Sequence, residues 1–334
     1  MINTEIYKCL QHDLNSYLSS QELEMLISHN KIFSYAPGQM ILQQGKYSQG
    51  IYLIIRGTVM VTAKLLGEGT SHLETLEHGC FLGEASFIEN IPCPTSMIAN
   101  TDVECIVLTK TYFEFLATYH PEVKYHLFTA IAKQVCGRIR RVHNKIINFM
   151  TTSEMTTRPL FGEIIQSLTK PSEITNKEER ATELNQLKQF MIFHNYEKAE
   201  ILELLNHSIL LKAPKNCTLI HKGEINASSY IVIHGAVQSS IVHANKVAKL
   251  SVIGPATLFT SIACADTDSS YTITFTTCEQ SILLKIPETD LNFIKENHAF
   301  IWYKLFDLIC ISLVALEKSV DKLDIRLNIE TYNR

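Results

Sequence analysis

One stretch of this chain occurs twice. Ala36-Pro37-Gly38 through Gly45, followed by Ile51 to Arg56, Gly57 and Val59, recurs as Ala213-Pro214-Lys215 through Gly223, followed by Tyr230 to His234, Gly235 and Val237. The interval from Gly45 to Gly57 equals that from Gly223 to Gly235. A repeat of this length means two copies of one structural plan, and it constrains the fold more than any composition figure. The 334 residues suit two cores, since a single core stops growing near about 250 to 300 residues. The expected division is one domain over residues 1–150, a linker over 151–185 and a second domain over 186–334. The linker is polar, is broken by Pro159 and Pro171, carries a charged cluster from Lys177 to Arg180, and has room for a short helix around Phe161 to Leu168.

Each copy begins with a helix. Ser19-Ser20-Gln21-Glu22 is a capping box that opens a helix bearing Leu23, Leu26 and Ile27, and Asn195 is positioned to cap one bearing Ala199, Leu202 and Leu205. Short runs rich in Val, Ile, Thr and Tyr then alternate with Gly, Asn, Asp and Ser, as at Ile51–Ile55, Val59–Ala63, Val103–Leu108, Tyr230–Ile233 and Ser281–Ile286. That pattern predicts a flattened roll of about eight antiparallel strands in each half, a mainly β fold with flanking helices.

Each copy closes with a helix. In the first, Val123, Leu127, Ile131, Val135, Ile139, Val142 and Ile146 step by three and four. In the second, Ala299 to Leu327, the residues Trp302, Phe306, Ile309, Leu313, Leu316, Val320, Leu323 and Leu327 keep the period of a coiled-coil seam. Leu308, Ile311 and Val314 lie off that seam, so a second surface is expected to cover the helix. The candidates are the closing helix of the first copy, the same helix of a second chain in a homodimer, or another protein partner.

Thirty basic residues against thirty-four acidic ones give a net charge of −4, which supplies no field for a polyanion or an anionic membrane. Met1 to Leu10 carries Glu5 and Lys8 and does not read as a leader peptide. The longest late apolar run, Leu308 to Leu316, is far short of the roughly 20 residues that cross a bilayer, so no membrane span is expected. Nine cysteines without a C-x-x-C pair read as reduced thiols of a cytoplasmic chain. Thirteen histidines without a close-spaced ligand set predict no metal. No cofactor is expected, and no nucleophile elbow, P-loop or dinucleotide fingerprint points to an enzyme. The basic run Arg138, Arg140, Arg141 and Lys145 reads as a solvated helix face. With a second roll following the linker and few residues after Leu327, no DNA-recognition helix is expected.

Gly45, Gly57 and Gly79, followed by Phe81-Leu82-Gly83-Glu84-Ala85-Ser86 and the strand Thr95 to Ala99, resemble the cyclic-nucleotide-binding domain of catabolite activator proteins, protein kinase A regulatory subunits and gated channels. The resemblance covers most of residues 15–145 and, more weakly, 186–320. It implies two tandem jelly-roll-like double-stranded β-helices, with a phosphate-binding cassette in the first at Gly83, Glu84, Ala85, Ser86, Cys93, Thr95 and Ser96. Glu84 then either accepts from a ribose hydroxyl or merely caps the cassette helix, and the backbone N–H groups of Ala85 and Ser86 face the phosphate.

The arginine that pairs with the phosphate in that family is replaced by Cys93, and no arginine stands between Arg56 and Arg138. Pro94 lacks the next backbone donor. An anion without its charged partner costs about 3 to 5 kcal/mol, or roughly two to four decades of affinity. The second copy lacks the cassette's glycine and glutamate pair in Gly254-Pro255-Ala256-Thr257-Leu258-Phe259-Thr260 and adds Asp266 and Asp268, which repel a phosphate. The expected function is a non-enzymatic regulatory sensor, with weak or altered binding of a cyclic nucleotide or another small ligand in the first copy. The alternative is a ligand-free interaction scaffold.

Overall fold

The computed structural model describes residues 4–64, 69–152, 161–163, 170–221, 227–244, 246–265 and 273–332. Two compact units emerge: residues 1–135 with 321–334, and residues 136–320.

In the first unit, α1 (Thr4–Leu14) and α2 (Ser20–His29) precede the strands. The capping box forms: the Ser19 N–H donates to Glu22 Oε2 at 2.6 Å and the Glu22 N–H to Ser19 Oγ at 3.4 Å. Leu23, Leu26 and Ile27 are buried, as their spacing requires. Eight strands follow: β1 (Lys31–Tyr35), β2 (Met40–Leu42), β3 (Gly50–Arg56), β4 (Val59–Lys64), β5 (Thr70–Leu76), β6 (Phe81–Leu82), β7 (Ser96–Ala99) and β8 (Val103–Thr109). The six-residue α3 (Glu84–Glu89) lies between β6 and β7.

They form two antiparallel sheets, ordered β1-β8-β3-β6 and β2-β7-β4-β5. Tyr52 and Ile54, Val59 and Val61, and Val103, Cys105 and Val107 alternate by two along their strands, and all enter one apolar cluster inside the roll. The opposite faces of β3 and β8 are apolar as well, because α1 and α3 pack against β3 and α4 (Lys110–Tyr119) packs against β8. Hence β3 reads as a continuous hydrophobic run.

The glycine shared by both copies has a steric reason. Gly57 sits at φ +85°, where a Cβ would run into the Asp102 carbonyl oxygen; Gly235, at φ +84°, has Gln280 and Ser281 in that place. Only glycine tolerates both the left-handed backbone and the close approach. Gly223, the partner of Gly45 in the repeat, lies outside the described residues.

The second unit repeats the plan with additions. After α5 (Pro121–Thr152) come β9 (Phe161–Glu163), β10 (Ser172–Glu173), α6 (Lys177–Leu187) and α7 (Lys198–Asn206). Then follow β11 (Ile209–Ala213), β12 (Thr218–Ile220), β13 (Ser229–His234), β14 (Val237–His243), β15 (Lys246–Ile253), β16 (Leu258–Thr260), β17 (Thr274–Thr277) and β18 (Ser281–Ile286). The sheets are β10-β11-β18-β13-β16 and β12-β17-β14-β15-β9. Tyr230, Phe259 and Phe275 stack in sequence at 5.1 and 4.9 Å between ring centroids.

Two local expectations fail here. Phe161–Glu163, expected in a helix, is a strand, because its backbone finds a ladder partner in Lys246–Ala248; residues 164–168 lie outside the described residues. The cap of α7 is Glu197 instead of Asn195, and its N–H donates to Glu200 at 2.6 Å. That start turns Ile201, Leu204 and Leu205 inward and leaves Leu202 exposed.

The chain closes with α8 (Glu288–Asn297) and α9 (Ala299–Tyr332). On α5 the expected stripe is buried except for Val142, which is half-buried. Arg138 corrects the reading of a solvated basic face: it is buried, with Nε 2.5 Å from Glu317 Oε1. It lies three residues after Val135 and four before Val142, on the flank of the stripe, whereas Arg141 and Lys145 are exposed.

All eight seam residues of α9 are buried within the chain, and so are Ile301, Leu305, Cys310 and Val314. By length and composition Ala299–Leu327 suffices to cross a bilayer, which the uninterrupted run Leu308–Leu316 understates. Burial of the seam and the contact of Lys304 Nζ with Glu200 at 2.6 and 2.7 Å instead mark a helix packed in a protein core.

Candidate functional site

The cassette of the first unit is built on a sharp turn after β6. Gly83 caps α3 at φ +78°, and a Cβ there would meet Leu42 Cδ1 at 2.8 Å, so the turn demands glycine. Glu84 opens α3 and is 4% exposed, and Ser86 is 2% exposed, so both polar side chains face inward. Ala85 is half-buried and offers its backbone alone. The first N–H groups of a helix have no acceptor within it, and the start of α3 carries that feature, by which a helix start attracts an anion.

The loop after α3 is tied to the β2–β3 turn. The Gly45 N–H donates to the Cys93 carbonyl at 2.9 Å and the Cys93 N–H to the Lys46 carbonyl at 2.7 Å. Cys93 is thereby fixed as a buried residue whose thiol lies beside the Ser86 hydroxyl and the Glu84 carboxylate. Burial raises its pKa, the Ser86 contact offsets part of the rise and the negative charge of Glu84 adds to it. It also belongs to the apolar cluster inside the roll. A neutral thiol thus stands where the family resemblance leads one to expect a guanidinium.

Glu84, Ser86 and Cys93 come together. Thr95 and Ser96 are buried in the following strand segment, but the Ser96 hydroxyl is turned to the backbone and accepts from the Gln44 N–H at 3.0 Å. Ser86 is likewise engaged, donating to the Ile91 carbonyl at 2.6 Å and accepting from the Ser48 N–H at 2.9 Å. Gln44 and Ser48 hold the cassette from a turn some forty to fifty positions earlier in the chain. No local sequence signal marks them; only the pairing of Gly45 and Lys46 with Cys93 brings them here.

In the second unit the same turn is recognisable by its backbone. The Gly79 N–H donates to the Ile54 carbonyl and the Ile54 N–H to that of Cys80; the Ala256 N–H donates to the Val232 carbonyl and the Val232 N–H to that of Thr257. Ala256 keeps a left-handed φ of +59° without being glycine. In this register Thr260 replaces Gly83 and Ser261 replaces Glu84. Thr260 Oγ1 lies 3.0 Å from Ser229 Oγ and 2.7 Å from Cys264 Sγ, and the Cys264 thiol donates to the Ala227 carbonyl at 2.5 Å. Burial pushes the Cys264 pKa up to about 11, with Thr260 and Ser229 opposing, so the thiol stays protonated. This site is a set of neutral groups bonded to one another. Asp266 and Asp268 lie outside the described residues.

The profile described as cyclic nucleotide-binding domain matches residues 32–120 and again residues 210–298. The cAMP-activated global transcriptional regulator of Pasteurella multocida is 27% identical over 123 residues, 36% of this chain and 59% of the relative. The cAMP-dependent protein kinase regulatory subunit of Colletotrichum orbiculare is 30% identical over 82 residues, 25% of this chain and 20% of the relative. The chain spans less than two thirds of the length of these curated relatives. Among solved structures, the regulatory domain of Toxoplasma gondii protein kinase A with cAMP aligns over 89% of this chain and 92% of its own, at 10% identity and a TM-score of 0.32.

Proposed function

The chain belongs to the cyclic nucleotide-binding domain family, whose fold it carries twice, and from that premise we propose a cytoplasmic, non-enzymatic regulatory protein with one degenerate ligand site. Its first cassette takes a cyclic nucleotide or a related small ligand weakly, and its second takes none. The observation that carries this reading is the buried neighbourhood of Glu84 and Cys93. The carboxylate supplies an acceptor for a ribose hydroxyl, while the thiol beside it supplies no positive charge for a phosphate. The names of the curated relatives record activation by, or dependence on, cAMP; here the same ligand would meet the carboxylate without a cation.

The competing reading, a ligand-free scaffold, is favoured by the Ser86 hydroxyl, which is already engaged with Ile91 and Ser48. In either case the output passes through a protein partner or a second copy, for which α9 offers Phe300 and Ile311 on its exposed side. DNA and membranes are not the proposed partners.

Titration calorimetry of the chain with cyclic AMP, cyclic GMP and cyclic dinucleotides tests the proposal. The expected dissociation constant for cyclic AMP lies between about micromolar and millimolar, and Cys93→Arg tightens it. Nanomolar binding, or no change on Cys93→Arg, overturns the assignment of the cassette. Absence of heat with every nucleotide leaves the scaffold reading standing.

A further inference from the structure

Away from the cassettes, a cluster of side chains gathers at the C-terminal ends of two helices in the second unit. His207 is the C-cap of α7 and His298 the C-cap of α8. Glu203 stands one turn before His207, so both side chains leave the same face of α7. Glu203 Oε1 lies 3.3 Å from His207 Nε2 and 3.3 Å from His298 Nε2, and the three candidate ligand atoms are all within 4.8 Å of one another. On its other side, His207 Nδ1 lies 3.0 Å from Asp290 Oδ1. Phe293 stacks on the His207 ring at 4.7 Å and lies 5.7 Å from that of His298.

We propose that Glu203, His207 and His298 form a binding site for a divalent transition ion of the zinc class, with Asp290 holding His207 in the ligating tautomer. One imidazole from each of two helix ends and one carboxylate bring their candidate ligand atoms within 4.8 Å of one another, a nitrogen and oxygen donor set that suits an ion of this class. The separations point the same way. A charge-assisted N–H to carboxylate bond is shorter, about 2.7 to 2.9 Å. Ligands about 2.0 to 2.1 Å from a tetrahedral zinc are instead separated by about 3.3 Å, the edge of the tetrahedron.

The negative ends of two helix dipoles also converge on the site and favour a cation over an anion. The carboxylate–histidine arrangement of Asp290 and His207 is the outer support that metal-bound imidazoles ordinarily have. The three ligand side chains are 20 to 35% exposed, which leaves a fourth position open to water. Sequence spacing did not disclose this set and predicted no metal, because Glu203 and His207 acquire their third partner only when folding brings up residue 298. An ion here ties α7 to the joint between α8 and α9, since His298 also accepts the first helical bond of α9 from the Trp302 N–H at 2.9 Å.

Titrating zinc chloride into the chelator-treated full chain, by calorimetry and by thermal melting, tests the site. The expected result is one ion per chain at micromolar affinity or tighter, with a raised thermal midpoint. Glu203→Gln and His298→Gln each weaken binding at least tenfold, Asp290→Asn weakens it by about 10- to 100-fold, and His207→Asn with His298→Gln abolishes the rise in midpoint. All these side chains are partly exposed, so the variants retain the fold, and far-ultraviolet circular dichroism checks that they do. Nine free cysteines offer a rival site, and cobalt(II) separates the two: ligand-field bands without thiolate charge transfer support the histidine site. Failure of the chain to bind zinc overturns the proposal, as does equal binding by the doubly substituted chain or a thiolate spectrum. None of these outcomes depends on whether the first cassette binds a nucleotide.

Discussion

Single residues decide where this fold tolerates change. Gly38 and Gly57 have almost the same backbone, φ +84° and +85°, yet a Cβ on Gly38 meets nothing within 4 Å whereas one on Gly57 runs into the Asp102 backbone. Gly38→Ala is therefore expected to cost about 1 kcal/mol, the penalty of the left-handed conformation alone. Gly57→Ala should cost more than about 2 kcal/mol, because backbone must also move. Urea unfolding of the two variants separates the contributions, and equal costs would show that the close approach does not matter. The cassette shows the same limit on what sequence can disclose. Gly83 to Ser86 are contiguous and legible, and the substitution of Cys93 for a cation is legible against the family pattern. The positions of Ser48 and Gln44 are not, because they depend on a turn pairing with a loop about fifty residues away. Nor does the sequence show that Ala256 adopts the backbone that Gly79 adopts in the first copy.

Elements were legible where their own periodicity is strong and illegible where a partner creates them. Strands such as β3 and β8 announce themselves by branched residues. The three residues of β9 become a strand only through β15, which is why a helix was the natural expectation. The cap of α2 was legible because its chemistry is local, and it makes a pH-dependent prediction. Burial pushes the Glu22 carboxyl up, but hydrogen bonds from the Ser19 backbone and side chain, with the His126 contact at 2.7 Å, together bring it below its ordinary value of 4.5. A depressed carboxyl contributes its stability fully above the unfolded-state pKa and loses it as pH falls through the folded value. Ser19→Ala should thus cost about 1 kcal/mol at neutral pH, with a smaller difference from the unsubstituted chain in melts below about pH 4. For α9, Leu316 is 6% exposed and Ile311 39%. Leu316→Asp is expected to cost at least about 3 kcal/mol, since it buries a carboxylate where a methyl pair was. Ile311→Asp should stay within about 0.5 kcal/mol, and it should also lower the mass seen by light scattering if a second copy docks there. A stable Leu316→Asp chain would mean that the seam is not packed within the protein.

At the scale of the whole molecule, the two copies have kept their sheets and diverged in their sites. The first retains a carboxylate in its cassette, and the second has replaced it with hydroxyls and a thiol that satisfy one another. Calorimetric stoichiometry should therefore approach one cyclic nucleotide per chain, and a value of two would refute the assignment of the second cassette as empty of function. The compact units also bear on the order of folding during synthesis. Residues 136–320 are enclosed in the sequence between two stretches of the other unit, which takes in residue 321 and those after it. A ribosome delivers residues 136–320 before it supplies that second stretch. The enclosed unit can therefore begin to fold during translation while the unit that emerged first still lacks contacts from the later part of α9.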